Sequence, residues 1–192
     1  MTSRRNQGVL RTPVNAKDHT QGPVDAPVML VEYGDFECPY CYRAHPIVLA
    51  LQKQLGASLR FVFRNFPLTE IHPHAQHAAE AAESVADQAG NDAYWKMHHD
   101  LFEHQQDSAD ALDDAHLCGY AGNAGADPAQ VQRDLDAGKF EGDVREDFIS
   151  GVRSGVNGTP TFFINGSRFE GDWTARRAFL AALEDAARAV PA

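Results

Sequence analysis

Val28-Met29-Leu30-Val31-Glu32-Tyr33-Gly34 runs almost directly into Cys38-Pro39-Tyr40-Cys41, and no other stretch limits the possible folds as much. Val28 to Tyr33 is a near-continuous apolar run of strand length, as expected for a strand covered on both faces. From Pro39 to about Leu55 the apolar residues Cys41, Ala44, Ile47, Val48, Leu51 and Leu55 recur at helical spacing on one stripe. The chain therefore passes from a buried strand through a short turn into a helix that opens on two cysteines. Cys41 shares the buried stripe, and Cys38 is expected at the exposed helix start. A thiol there faces the positive end of the helix macrodipole and unpaired backbone N–H groups, both of which favour thiolate. Two cysteines at this spacing can close into a small disulfide and reopen. Pro46 should kink the helix, and Gly56 should end it.

The next element, Leu59 to Phe66, alternates as a strand does and is stopped by Pro67. Strand, helix and strand in this order suggest a βαβ unit with parallel strands and a right-handed crossover. The period then changes. From Pro73 to about Ser154 the chain reads as helix almost throughout, with Asp127 as a cap before Pro128 and a last helix whose apolar face is Val144, Phe148, Ile149 and Val152. Strand character returns at Thr161–Ile164, Asn165-Gly166 marks a hairpin, and an amphipathic helix from about Thr174 to Ala189 turns Phe179, Leu180 and Leu183 inward. The fold class expected is α/β, a βαβ…ββα domain with an all-helical insertion. Its divisions are a mobile N-terminal segment over 1–22, a first half over 23–67, the insertion over 68–156 and a second half over 157–192.

With 192 residues the chain can bury a sizeable core, and its formal charge of −10 argues against nucleic acid or an anionic membrane as a partner. No apolar run approaches the roughly 18 residues a membrane helix needs. Three cysteines are too few to staple a scaffold, and a zinc site built on Cys38 and Cys41 lacks a second such pair, so redox chemistry is favoured. Cys118 reads as an odd core or surface thiol. Met1–Gly22 is polar, carries Arg4, Arg5 and Arg11, and has no apolar leader pattern. A cytoplasmic location is therefore expected, or an extracytoplasmic one if the start is trimmed.

Cys38-Pro39-Tyr40-Cys41, followed much later by Gly155-Val156-Asn157-Gly158-Thr159-Pro160-Thr161-Phe162-Phe163 with helices between, resembles the thioredoxin superfamily and specifically its DsbA-like thiol–disulfide oxidoreductases. The resemblance covers about Val24 to Ala189. It implies a thioredoxin-like fold in which Cys38 is the nucleophile and Cys41 the resolving cysteine. Pro39 and Tyr40 become the intervening pair that tunes redox potential, and Pro160 a cis-proline against the pair. Thr159 then offers backbone groups to an extended substrate, and Glu32 is the buried acid beneath the site. The chemistry agrees with this reading. Attack by a Cys38 thiolate gives a mixed disulfide, Cys41 must lose a proton to break it, and Glu32, the one charge in an apolar strand, can take that proton. An ionised Glu32, and Glu37 beside Cys38, would raise the thiol pKa values while the helix terminus lowers them, so the sequence leaves the sign open. Partners implied are protein or peptide thiols and disulfides, with glutathione or another thiol reductant. The cofactor is none beyond the redox-active Cys38–Cys41 disulfide.

Two further features compete with this one. His72-Pro73-His74-Ala75-Gln76-His77 with Glu80 places His74, His77 and Glu80 at i, i+3 and i+6, but no further ligand is assembled with them, so no metal is expected. His45 is expected at the helix rim, and His98, His99 and His104 as solvent-facing or structural residues. Rival functions are a glutathione-using transferase or isomerase relative, which works from a serine-type site, and a non-catalytic redox-sensing or binding module.

Overall fold

The computed structural model describes residues 8–189. Its elements are β1 (His19–Gln21), β2 (Val28–Gly34), α1 (Pro39–Leu55), β3 (Leu59–Asn65), α2 (Ala75–Ala89), α3 (Asn91–His104), α4 (Asp114–Ala124), α5 (Pro128–Asp136), α6 (Glu141–Arg153), β4 (Thr161–Ile164), β5 (Ser167–Arg168) and α7 (Arg176–Arg188). The strands form one sheet in the order β1-β3-β2-β4-β5. β2 and β3 run parallel, in register from Val28 beside Leu59 to Gly34 beside Asn65, while β4 lies antiparallel on the other edge of β2. The strand carrying the cysteine turn is thus central. Asn165 and Gly166 both take positive φ, 45° and 82°, which matches a tight hairpin between β4 and β5. This is the thioredoxin-like α/β fold with a helical insertion, α2 to α6, between its halves.

Alternation along β2 sends its side chains to two different cores. Val28 and Leu30 face a large core with Phe61, Phe63, Phe162, α1, α7 and the insertion helices α2 to α5. Val31 and Tyr33 face a smaller one with Val62, Phe66, Phe163 and Phe148 of α6. Gly34 ends β2 under Phe63, whose ring would stand 2.3 Å from any added Cβ, so no side chain fits there.

Two expectations are corrected. The first concerns the segment over 1–22, expected to be mobile: from Gly8 onward its described part is packed in place. β1 pairs antiparallel with β3, Val9 bridges to Ser167, and Arg64 of β3 donates to the Thr12 and Pro13 carbonyls and to Asp18. A polar stretch without periodicity gave no sign of this, because one buried arginine holds it. The second concerns α6, whose Ile149 and Val152 are exposed rather than buried. The helix approaches the sheet through Val144, Phe148 and Gly151 instead. An added Cβ on Gly151 would stand 2.7 Å from the Phe66 ring, so the glycine sets the close approach and conceals the true inward stripe.

Candidate active site

Cys38 is the N-cap of α1, with extended backbone (φ −74°, ψ 122°), and Pro39 occupies the first helical turn, where its missing N–H costs nothing. Cys38 and Cys41 are free thiols one helical turn apart. The Cys38 thiol donates to the Thr159 carbonyl at 3.5 Å, and the Asp35 N–H donates to Cys41 Sγ at 3.5 Å. The Thr159–Pro160 peptide bond is cis, and these two half-buried residues form the wall opposite the helix start. Cys38, expected to be exposed, is only 3% exposed because that wall covers it, whereas Pro39 and Tyr40 stand in solvent.

Thiol electrostatics resolve the sign that sequence left open. A hydrogen bond from the Cys41 thiol, with further bonds from the helix turn, outweighs burial and lowers Cys38 from 9.0 to about 6. Burial, the same hydrogen bond and the charges of Glu32 and Cys38 push Cys41 well above 9.0. Glu32 lies in register with Phe63 and Phe162 on the same face of the sheet, and burial raises it from 4.5 to about 8, with the Cys38 charge adding to the shift. One thiol is therefore largely ionised at neutral pH, its partner stays protonated, and a carboxyl group with a pKa near neutrality is coupled to both. That is the spacing of acidities a two-thiol exchange requires, and a base near the working pH is the effective kind.

The insertion grips the turn that presents Cys38, through residues the sequence did not single out. Gln105, just past α3, donates from its buried side-chain amide to the Phe36 carbonyl at 2.6 Å and the Cys38 carbonyl at 3.1 Å. Asp35 is buried and accepts from the Glu37 N–H, the Leu68 N–H and His72 Nδ1 at 2.7–2.8 Å. Glu37, expected to act on the thiols, instead accepts from the His74 N–H at 2.6 Å at the entrance to α2. A hint was present for Asp35, an acid directly before an aromatic and a cysteine turn. Nothing marked Gln105, since a single long-range amide contact has no periodicity.

The His72–Glu80 residues do not converge. His72 binds Asp35, His77 binds Asp114 at 2.7 Å, and Glu80 accepts from Gln76 within its own helix. Cys118 lies on α4 with its thiol toward Gln132, a structural position. His45, expected at the helix rim, is buried at 8% exposure, and of the two alternatives for His98, solvent-facing or structural, the structural one fits its 2% exposure; both point between α1 and α3 into the aromatic core.

A family model described as Thioredoxin matches residues 14–185. The chain is 44% identical over 165 residues to a Na(+)/H(+) antiporter NhaA of Salinispora arenicola, a match that spans 85% of this chain but 24% of that protein. It thus spans about a quarter of the length of the curated relatives it matches, and among its described residues no helix is long and apolar enough to cross a membrane. Among solved structures, oxidised BdbD of Bacillus subtilis superposes with a TM-score of 0.85 at 25% identity, covering 95% of this chain and 100% of that one. A thioredoxin-like oxidoreductase of Silicibacter pomeroyi superposes at 0.72, also at 25% identity, covering 92% and 95%. These likenesses, to an antiporter and to BdbD in its oxidised form, correct the cytoplasmic expectation, which they do not support. The expectation had rested on the lack of a leader pattern in Met1–Gly22, which carries no information about compartment.

Proposed function

The chain belongs to the thioredoxin family, as a DsbA-like thiol–disulfide oxidoreductase, and from that premise we propose that Cys38-Pro39-Tyr40-Cys41 is its redox centre and that it works as an oxidant of substrate dithiols. The observation that carries the reading is the opposed acidity of the two thiols. In the disulfide form, a substrate thiolate attacks Cys38 Sγ, the Cys38–Cys41 bond breaks, and Cys41 leaves as a thiolate that takes a proton from Glu32. A second substrate thiolate then attacks the substrate sulfur of the mixed disulfide and releases Cys38. Two electrons pass to the chain; of the two substrate protons, one replaces the proton that Glu32 gave to Cys41 and the other goes to solvent, because Cys38 is released as thiolate, and the substrate leaves as a disulfide. A low Cys38 pKa makes it a good leaving group and stabilises the reduced form, which raises the reduction potential. In the reverse direction Cys38 attacks and Cys41, deprotonated through Glu32, resolves.

The Thr159 carbonyl beside Cys38 Sγ supports a docking role for Thr159 and Pro160, where an extended substrate backbone can lie beside the cis bond. Tyr40, 57% exposed, and Ile71, 69% exposed, offer apolar surface on the two segments that meet at this turn. Protein and peptide thiols are the substrates of this reading, and glutathione is a small thiol that can discharge the disulfide. The test is turnover of a reduced peptide dithiol. Cys38→Ser abolishes it, and Cys41→Ser accumulates a mixed disulfide at Cys38. Full turnover by Cys38→Ser overturns the assignment, and a Cys38–Cys41 reduction potential as low as that of cytosolic reductants overturns the oxidant direction.

A further inference from the structure

One turn beyond Cys41, away from the redox centre, three imidazoles meet between α1 and α3. His45 Nε2 lies 2.9 Å from His99 Nδ1, and one ligating nitrogen from each of His45, His98 and His99 falls within 4.8 Å of the others. The three ring centres form a nearly equilateral triangle, with sides of 5.5, 5.2 and 5.3 Å. Imidazoles bound at about 2.0–2.1 Å in tetrahedral directions place their ring centres about 5 Å apart. The ring centres are therefore spaced as in a three-histidine metal centre, and His45 Nε2 and His99 Nδ1, hydrogen-bonded to each other here, would turn toward a bound ion.

His98 supplies a second, independent observation. Both its ring nitrogens are buried without a hydrogen-bond partner. A native interior rarely leaves such a group unexplained, and an ion is one of the few things that satisfies it. Aromatic rings surround it: Phe36, Phe63 and Trp95 pack at 5.5, 4.6 and 4.8 Å from its ring centre. Burial lowers the pKa of all three histidines, His45 to about 4, so the rings are neutral, which is the ligating form. A way in exists, because His99 is half-buried and lines an open groove with Leu49, Gln52 and Trp95.

We propose that His45, His98 and His99 form a three-histidine site for a nitrogen-preferring transition-metal cation of the Zn2+ type, reached from the His99 side. Three protein nitrogens leave a fourth position for water or an exogenous ligand. Hard cations such as Ca2+ and Mg2+, which take oxygen ligands, are excluded by the donor set.

Free thiolates also bind these cations, so the experiment uses the full chain with Cys38–Cys41 oxidised and Cys118 alkylated. Co2+ is titrated as a spectroscopic probe, and Zn2+ affinity is read by chelator competition. One equivalent is expected to bind, with visible d–d absorption and no thiolate-to-cobalt charge-transfer band. His99→Gln, at the half-buried rim, and His98→Phe, which keeps an aromatic ring in the aromatic cage, are each expected to weaken Zn2+ binding by about 100-fold or more. Circular dichroism checks that both retain the fold. Absence of a one-to-one complex in the parent chain overturns the site, as does unchanged affinity in a folded His99→Gln.

Discussion

The two faces of β2 bury charge in opposite ways. On one, Arg64 and Asp18 lie with side chains 2% and 4% exposed, and the guanidinium spends its five N–H donors on Asp18, Thr12, Pro13 and Tyr33. On the other, Glu32 is buried among Phe63 and Phe162 and is coupled through charge to two thiols, with its pKa raised to about 8. Tyr33 and Glu32 are neighbours in sequence, yet one is part of a saturated clasp and the other of a titrating site. A buried ion with every donor matched holds the chain in place. A buried acid raised by desolvation and by a neighbouring thiolate has a pKa near neutrality, where proton transfer is useful.

Breaking the clasp should give the largest effect on stability and little on chemistry. Asp18→Ala strands Arg64 without its carboxylate and is expected to cost about 3–5 kcal/mol. Denaturant unfolding measures this, as a fall in midpoint at unchanged slope, while the folded variant keeps its rate of dithiol oxidation. Glu32→Gln should do the reverse, slowing the Cys41-dependent step by about 100-fold, in the range of lost acid–base catalysis, with stability at neutral pH equal or higher. Stopped-flow decay of the mixed disulfide separates that step from attack at Cys38.

The division between legible and hidden features follows the same line. The strand, the helix on Cys38 and Cys41, the parallel pairing with β3 and the Asn165-Gly166 hairpin all show in the sequence, because each is set by local periodicity or turn chemistry. Glu32 shows as a charge breaking an apolar run. The clasp does not, since Asp18 and Arg64 are 46 residues apart and obey no repeat. Gln105, the Gly151 approach and the His45–His98–His99 triangle are hidden for the same reason: each depends on which surfaces the insertion brings together.

Gln105 joins the two kinds of region, being a satisfied buried group that touches the reacting turn. Gln105→Leu should cost about 1–3 kcal/mol by leaving the Phe36 and Cys38 carbonyls unpaired, with a smaller fall in oxidation rate, near tenfold. Rescue by Gln105→Asn in neither assay would show that amide reach, not polarity, is what matters; rescue in both would weaken that specific geometry.

A pH dependence tests the same contrast without a change of packing. Glu32 has a folded-state pKa raised from 4.5 to about 8, so its contribution to the stability of the reduced chain is full below pH 4.5 and is lost as pH rises through 8. Cys38 has its pKa lowered from 9.0 to about 6, so its contribution is full above pH 9 and is lost as pH falls through 6. Between pH 6 and 8 the two oppose each other. The stability of Glu32→Gln relative to the parent should therefore climb from pH 4.5 to about 8 and then level off. A flat difference would mean that Glu32 is ionised throughout.

The opposed acidity of the two thiols is tested most directly by alkylating the reduced chain across pH and reading each cysteine by peptide mass spectrometry. Cys38 should react with a midpoint near pH 6, and Cys41 should stay unmodified until well above pH 9. Cys41 reacting first, or a Cys38 midpoint near 9, would contradict the account.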